Sequence, residues 1–221
     1  MTTGSATTGP TESVEFGGLD IAFDDRVLRP RAWTLAQSQW AAELLRDAGP
    51  GPVLELFAGV GHIGLAALTR NDRELVLVDL NPAAIELARR NVGAAGWTAR
   101  VEVREGRIDE VLQPGETFAL IIADPPWVPS EGIGEFPEDP AIAIDGGSDG
   151  LDLARISCEV IDRHLAEGGS AVVQLGTVEQ AELIDDHLAQ LPGSSLRVVE
   201  TRGYERGVLI RLGRATATDM A

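Results

Sequence analysis

Apolar runs of strand length alternate with longer segments of helical periodicity from residue 34 to residue 212. We predict strands at residues 53–57, 74–79, 100–104, 118–123, 170–175, 196–200 and 207–212. We predict helices at residues 34–47, 62–70, 82–92, 151–167 and 178–190. Such alternation is typical of βαβ units, and it predicts a parallel sheet with helices on both faces.

The last two predicted strands are joined differently from the others. Only residues 201–206 separate them, which leaves no room for a crossover helix, so we expect these strands to pair antiparallel. The fold predicted is therefore α/β: a Rossmann-like sheet of seven strands, mostly parallel with an antiparallel last strand. Class I methyltransferase sheets have this terminal hairpin, whereas nicotinamide-binding sheets normally lack it.

Composition is that of a globular cytosolic protein. Hydrophobic residues make up 44% of the 221 residues and charged residues 24%, so we expect a single domain at 15–213 with disordered tails at 1–14 and 214–221. No apolar stretch has the ~18 residues of a membrane span, and no signal-peptide pattern is present. A single Cys158 and three dispersed histidines predict neither an internal disulfide nor a metal site.

The charge balance argues against nucleic-acid partners. The net charge is −17, and all of the basic residues are arginines. Binding through phosphates needs a basic surface, so this chain would repel a polyanion. The absence of lysine also excludes Schiff-base and P-loop chemistry.

The most informative motif is Asp-Pro-Pro-Trp at residues 124–127, directly after the apolar run 118–123. Each proline fixes φ and removes an N–H, so the backbone is stiff and its carbonyls are free to accept hydrogen bonds. In open α/β sheets, ligands bind at the carboxyl ends of strands. Oxygens of Asp124 and Pro125 can accept from a planar NH₂ group while Trp127 stacks on its face. The alternative interpretation is a strand-ending turn with a core tryptophan.

A second motif predicts the cofactor. Gly59–Gly64 matches G-x-G-x-x-G between a strand and a helix, which is compatible with a dinucleotide. Glu55 favours S-adenosylmethionine instead, because a carboxylate attracts an ammonium and a sulfonium but repels a pyrophosphate. Asp79, at the end of the next strand, can accept from the ribose hydroxyls of either cofactor. We predict S-adenosylmethionine, with S-adenosylhomocysteine as the product.

These motifs and three further segments resemble the HemK-type class I methyltransferases, which methylate a glutamine side chain in translation release factors. The resemblance covers residues 20–212. It includes a Pro-Arg-x-x-Thr segment at residues 30–34 and a ribose strand at 78–82. Its most specific part is Asp-Gly-Gly-Ser-Asp-Gly-Leu-Asp at 145–152.

The resemblance assigns roles to individual residues. Catalysis would fall to Asp124, Pro125 and Trp127, and substrate binding to Asp124, Pro126 and Trp127. The cofactor would contact Glu55, Phe57, Gly59, Gly61, Asp79, Leu80 and Asp124. His62 either contacts the cofactor carboxylate or caps its helix, and the acidic segment 131–140 is either a substrate lid or a solvated loop.

The sequence also departs from the family pattern. Only about 50 residues precede the cofactor loop, so we expect the helical N-terminal domain of the release-factor enzymes to be lacking. Phe57 replaces the first glycine of the loop, and Asp124 and Trp127 replace the family's Asn and Tyr. Arg107 stands where the family often has an acid near the adenine, which leaves backbone atoms or Asp109 to bind it.

We therefore predict a cytoplasmic S-adenosylmethionine-dependent N-methyltransferase with no membrane association. The first-choice acceptor is a glutamine-type side-chain amide of a protein or peptide. A small-molecule metabolite is the alternative acceptor, and adenine N6 in nucleic acid ranks third. A protein that binds the cofactor without catalysis is the rival from another functional class.

Overall fold

The computed structural model describes residues 9–215, and the predicted seven-stranded sheet dominates it. The sheet has the order β5-β4-β3-β6-β7-β9-β8. Its strands are β3 (Val53–Leu56), β4 (Leu75–Asp79), β5 (Val101–Glu105), β6 (Phe118–Ala123), β7 (Leu165–Leu175), β8 (Leu196–Gly203) and β9 (Val208–Arg214). The strands β3 to β7 pair parallel, and β9 pairs antiparallel with both β7 and β8. The predicted fold class is confirmed.

Helices cover both faces of the sheet, as predicted. They are α1 (Leu35–Asp47), α2 (His62–Ala67), α3 (Pro82–Ala94), α4 (Ala141–Ile144), α5 (Asp152–His164) and α6 (Val178–Gln190). One apolar core joins α1, α2 and α3 to one face of the sheet. A second core joins α5 and α6 to the other face, and the thiol of Cys158 is buried in it. The central strand β6 is buried over its whole length, which explains its unbroken apolar sequence.

An additional hairpin of β1 (Glu12–Phe16) and β2 (Leu19–Phe23) precedes the sheet. Phe16, Ile21 and Phe23 are buried in the core beneath α1, α2 and α3. The expected N-terminal tail at 1–14 therefore does not extend to residue 14, because Glu12–Phe16 form a paired strand. Residues 1–8 of that tail, and 216–221 of the C-terminal one, lie outside the described residues.

Two predicted helices end earlier than expected. The helix predicted at 151–167 ends at His164, because β7 already begins at Leu165. The helix predicted at 62–70 ends at Ala67. Of the helices within residues 9–215, none has the length and apolarity needed to cross a membrane.

Candidate active site

A cavity of about 210 Å³ opens at the carboxyl edge of the sheet. Loops after four adjacent strands line it. They contribute Phe57, Ala58 and Gly59 after β3; Leu80 and Asn81 after Asp79, which ends β4; Gly106–Asp109 after β5; and Asp124 and Pro126 after β6. The two sequence motifs thus meet in one cavity, as expected from the parallel strand order.

The loop after β3 presents backbone to the cavity. Phe57 has φ +56 and Gly59 has φ +52, a left-handed conformation that is uncommon for a phenylalanine. A Cβ on Gly59 would meet nothing within 4 Å, so its backbone is open to a ligand. The sequence pattern carried no signal for strain at Phe57.

Glu55 lies behind this loop and does not line the cavity. Its side chain is 2% exposed, and its Oε2 accepts a hydrogen bond from the Gly64 N–H at 2.9 Å. Burial raises the pKa of Glu55 well above its ordinary value. In this structure Glu55 holds the start of α2 in place, and the ligand contact predicted for it remains a prediction.

Gly61 has a packing role in the same loop. Its φ is +80, and an added Cβ would lie 2.7 Å from Leu77 Cδ1. Gly61 does not line the cavity, so the structure explains this glycine by conformation and close packing rather than by contact with a ligand.

Asp79 links the loops that follow β3 and β4. Its Oδ2 accepts from the Gly59 N–H at 2.7 Å, and its Oδ1 accepts from the Asn81 N–H at 2.8 Å. Burial raises the pKa of this carboxyl, and these hydrogen bonds oppose the shift. Leu80 follows as a 55% exposed apolar side chain at the cavity, so a carboxylate and an apolar surface lie side by side.

Asp124 lies at the end of β6 and lines the cavity. Within residues 9–215 no hydrogen bond ends at its carboxylate, and burial raises its pKa to about 7. Pro126 also lines the cavity, whereas Pro125 is buried and outside its lining. A desolvated acceptor without a partner is therefore available at the predicted catalytic position.

Trp127 does not line the cavity. Its ring packs against Gly176 after β7, where an added Cβ would lie 2.5 Å from Trp127 Cε3. The sequence predicted that the indole stacks on the target group. The structure places it beside the strand end instead, and the stacking contact remains a prediction.

The segment after Trp127 pairs with the Asp-Gly-Gly motif. Gly146 N–H donates to the Val128 carbonyl and Val128 N–H donates to the Ile144 carbonyl. Asp145 accepts from the Ser130 hydroxyl at 2.7 Å. Asp149 also accepts from the Leu151 N–H just before α5, so the motif contacts both the segment after Trp127 and the start of this helix.

Other cavity residues were left out of the predicted roles or, like His62, were given two alternatives. His62 and Thr34 line it, with His62 Nε2 3.3 Å from Thr34 Oγ1. Burial lowers the pKa of His62 to about 4, so the ring is neutral at pH 7. Arg31 also lines the cavity and forms an ion pair with Asp139. The Pro-Arg-x-x-Thr segment was the sequence signal for Arg31 and Thr34.

Apolar side chains also line the cavity. Ile108, Leu153 and Ile156 line it, and Leu153 and Ile156 were missed because an apolar residue on a helix looks like ordinary core. Arg107 forms an ion pair with Asp109, with 2.8 Å between the guanidinium nitrogen and the carboxylate oxygen. Both Arg107 and Asp109 line the cavity.

The lining matches the chemistry of S-adenosylmethionine. A nucleoside needs an apolar slot and an acceptor for its hydroxyls, which Ile108, Leu80 and Asp79 offer. The open backbone at Gly59 and the polar groups of Thr34 and His62 suit the amino-acid end. Within residues 9–215, no cluster of three or more histidine, cysteine or acidic side chains has the arrangement of a metal site.

Comparison with known proteins gives sequence relatives. A family model described as "Conserved hypothetical protein 95" matches residues 27–136. The ribosomal protein uL3 glutamine methyltransferase of Bradyrhizobium diazoefficiens is 31% identical over 79% of this chain and 58% of its own. The release factor glutamine methyltransferase of Geobacter sulfurreducens is 37% identical over 77% of this chain and 60% of its own. The chain thus spans about three fifths of the length of these relatives.

Solved structures share the fold. The ribosomal protein L11 methylase from Lactobacillus delbrueckii subsp. bulgaricus superposes with a TM-score of 0.63 at 15% sequence identity. The match covers 86% of this chain and 82% of that one. At this identity the likeness shows the Rossmann-like methyltransferase fold and carries no assignment of acceptor.

Proposed function

The chain is related to the HemK-type glutamine methyltransferases, and from this premise we propose that it is an S-adenosylmethionine-dependent N-methyltransferase acting on a glutamine side-chain amide of a protein. Both groups of relatives, the release factor and the ribosomal protein uL3 enzymes, are named for this amino acid. Because the chain covers only part of their length, activity and acceptor are carried over as a proposal.

One observation supports the proposal most directly. Asp124, with no hydrogen-bond partner in the described part of the chain, lines the same cavity as Gly59 and Asp79. The Asp124 carboxylate, which would bind the methyl acceptor, and the loop that would bind the cofactor therefore face one cavity. Methyl transfer needs donor and acceptor next to each other, so this arrangement suits it.

The cofactor would be held by the residues that line the cavity. Asp79 would accept from the ribose, Leu80 and Ile108 would contact the adenine, and Gly59 would offer its backbone. When bound, S-adenosylmethionine supplies an electrophilic methyl group on a positively charged sulfur.

Asp124 and the Pro125 carbonyl would act on the acceptor. Of the hydrogen bonds formed within residues 9–215, none ends at the Pro125 carbonyl oxygen. The two oxygens would accept the two N–H bonds of a glutamine amide and favour a lone pair localised on nitrogen. As this nitrogen gains positive charge, the oxygens stabilise it more than in the ground state. The surplus proton then leaves from nitrogen to solvent.

The test is methyl transfer from labelled S-adenosylmethionine in a cell lysate that lacks the endogenous enzyme. Label is separated into protein, nucleic acid and small molecules, and protein is digested with proteases to detect N5-methylglutamine by mass spectrometry. Label in methylglutamine supports the proposal. Label confined to metabolites or to adenine overturns the acceptor assignment, and no transfer to any fraction overturns the activity.

Two variants separate the proposed roles. Asp124→Ala should lower kcat by about 100-fold or more and leave the dissociation constant of S-adenosylmethionine nearly unchanged. Asp79→Ala should weaken cofactor binding by about 10- to 100-fold, since it removes hydrogen bonds to a charged group. Exposed Asp72, before the same strand β4, provides the control variant Asp72→Ala.

A further inference from the structure

Three backbone polar groups from different parts of the sequence lie close together at the Asp-Pro-Pro-Trp turn. They are the carbonyl of Trp127 itself, the carbonyl of Asp149 before α5, and the N–H of Gly176 after β7. One side chain, Gln180 on α6, hydrogen-bonds to all three. This cluster lies next to the cavity residues but outside the cavity lining.

The amide of Gln180 is well matched to these partners. Its Oε1 accepts from the Gly176 N–H at 2.8 Å, and its Nε2 donates to the Trp127 and Asp149 carbonyls at 3.1 Å each. The residue is 7% exposed. Both N–H bonds of a buried amide and one lone pair of its oxygen are therefore used, and a carboxylate at this position would supply no donor.

Two glycines make this close approach possible. A Cβ on Gly176 would lie 2.5 Å from Trp127 Cε3 and 3.0 Å from Gln180 Oε1. A Cβ on Gly150 would collide with the Trp127 carbonyl oxygen and lie 2.6 Å from Gln180 Nε2. The ring and the carbonyl of Trp127 are thus each held against a neighbouring segment.

We propose that Gln180 is a positioning residue that holds Trp127 in place. Through the stiff prolines Pro125 and Pro126, it also fixes the Asp124 carboxylate and the Pro125 carbonyl, which would bind the methyl acceptor. This inference rests on the proposed function. Because Pro125 and Pro126 allow little rotation in φ, a shift at the Trp127 carbonyl is passed on to the Pro125 carbonyl and Asp124. Within residues 9–215 the side-chain hydrogen bonds of Gln180 go to Trp127, Asp149 and Gly176 and not to the loops after β3 and β4, so cofactor affinity is expected to be independent of it.

The test compares Gln180→Glu and Gln180→Met with Gln190→Glu. Glutamate keeps the shape but loses both donors, and methionine keeps the length without charge. Gln190 is exposed at the end of the same helix, so Gln190→Glu makes the same chemical change without these contacts. Each variant is labelled with 5-fluorotryptophan, and the ¹⁹F resonance of Trp127 is assigned with Trp127→Phe.

We expect the Trp127 resonance to move in both Gln180 variants while those of Trp33, Trp40 and Trp97 stay in place. At saturating cofactor and acceptor, turnover should fall at least tenfold, and the dissociation constant of S-adenosylmethionine should stay within twofold. Gln190→Glu should match the wild type in all three measurements.

An unmoved Trp127 resonance, or a fall in cofactor affinity as large as the fall in turnover, overturns the inference. Unchanged turnover with a moved resonance overturns it as well. A wild type that makes no methylglutamine contradicts the proposed function instead, and the resonance shift then still decides whether Gln180 holds Trp127.

Discussion

At the scale of single residues, the ionisation of Asp124 controls the proposed chemistry. Its folded-state pKa of about 7 lies above the ordinary value of 3.8 because the carboxyl is desolvated. Below that pH the group is protonated and accepts hydrogen bonds poorly. We predict that kcat/KM for the acceptor rises as pH increases through about 7, measured by initial rates between pH 5.5 and 8.5.

The matched variant is Asp124→Asn, which keeps a carbonyl oxygen and cannot titrate. Its kcat/KM should lose the rise near pH 7. The free energy of unfolding gives an independent check. Because folding raises the pKa of this carboxyl, the protein becomes less stable as pH rises from about 4 to 7. In urea titrations, the free energy of unfolding of Asp124→Asn should fall less between about pH 4 and 7 than that of the wild type. A rise in kcat/KM near pH 7 that persists in Asp124→Asn would assign that titration to another group.

The sequence predicts which residues gather at the carboxyl edge of the sheet, because that depends on strand order, but it does not predict contacts that depend on distant packing. Asp79, Leu80, Gly59 and Asp124 line the cavity because parallel strands bring their carboxyl ends together. The position of Trp127 depends on Gly176, about fifty residues away in the chain. No local pattern encodes that contact.

At the scale of elements, the turn into α2 depends on Gly61. Its left-handed backbone and its contact with Leu77 both exclude a side chain. We predict that Gly61→Ala lowers the free energy of unfolding by about 2–4 kcal/mol, through backbone strain and overpacking together. Urea unfolding at fixed pH measures this.

Gly96 offers the matched control, since its φ is +72 but an added Cβ would meet nothing within 4 Å. Gly96→Ala should cost only the backbone part, about 1–2 kcal/mol. Equal losses for the two variants would show that the contact with Leu77 relaxes freely.

The segment after the Asp-Pro-Pro-Trp turn is tied to the segment before α1. Arg31 pairs with Asp139, and both Arg31 and Ile142 line the cavity. We predict that Asp139→Asn increases hydrogen exchange of backbone amides at residues 130–145 and leaves the sheet unchanged. Glu138→Gln, at an exposed neighbouring position, is the control and should exchange like the wild type.

Most elements could be predicted because their periodicity is strong, and the exceptions are short. The hairpin of β1 and β2 was missed because each strand has only five residues, next to a small polar tail. Strand β7 starts earlier than predicted, at Leu165, because Leu165 pairs with Phe118 of β6 on the far side of a register shift that contains Gly168 and Gly169. Glycines inside a strand give no sequence signal for its continuation.

At the scale of the whole molecule, the net charge of −17 should influence which acceptors arrive quickly. Long-range attraction raises association rates with oppositely charged partners and weakens with salt. For two peptides with one central glutamine, we predict higher kcat/KM at low salt with lysine flanks than with glutamate flanks. Raising salt to about 0.5 M should reduce the ratio.

The same assay checks the charge argument against nucleic acids. A ratio that does not change with salt would mean that local contacts, not overall charge, select the acceptor. Strong competition by a single-stranded RNA would contradict the expectation that polyanions are repelled.

The placement of β9 between β7 and β8 bears on how the protein is made. While the nascent chain is on the ribosome, β8 emerges before the strand that joins it to the rest of the sheet. Until residues 208–214 are available, β7 has an open edge, close to Gly176 and the packed ring of Trp127. This edge of β7 therefore stays unpaired until residues 208–214 have been synthesised, and chaperones would find their target there.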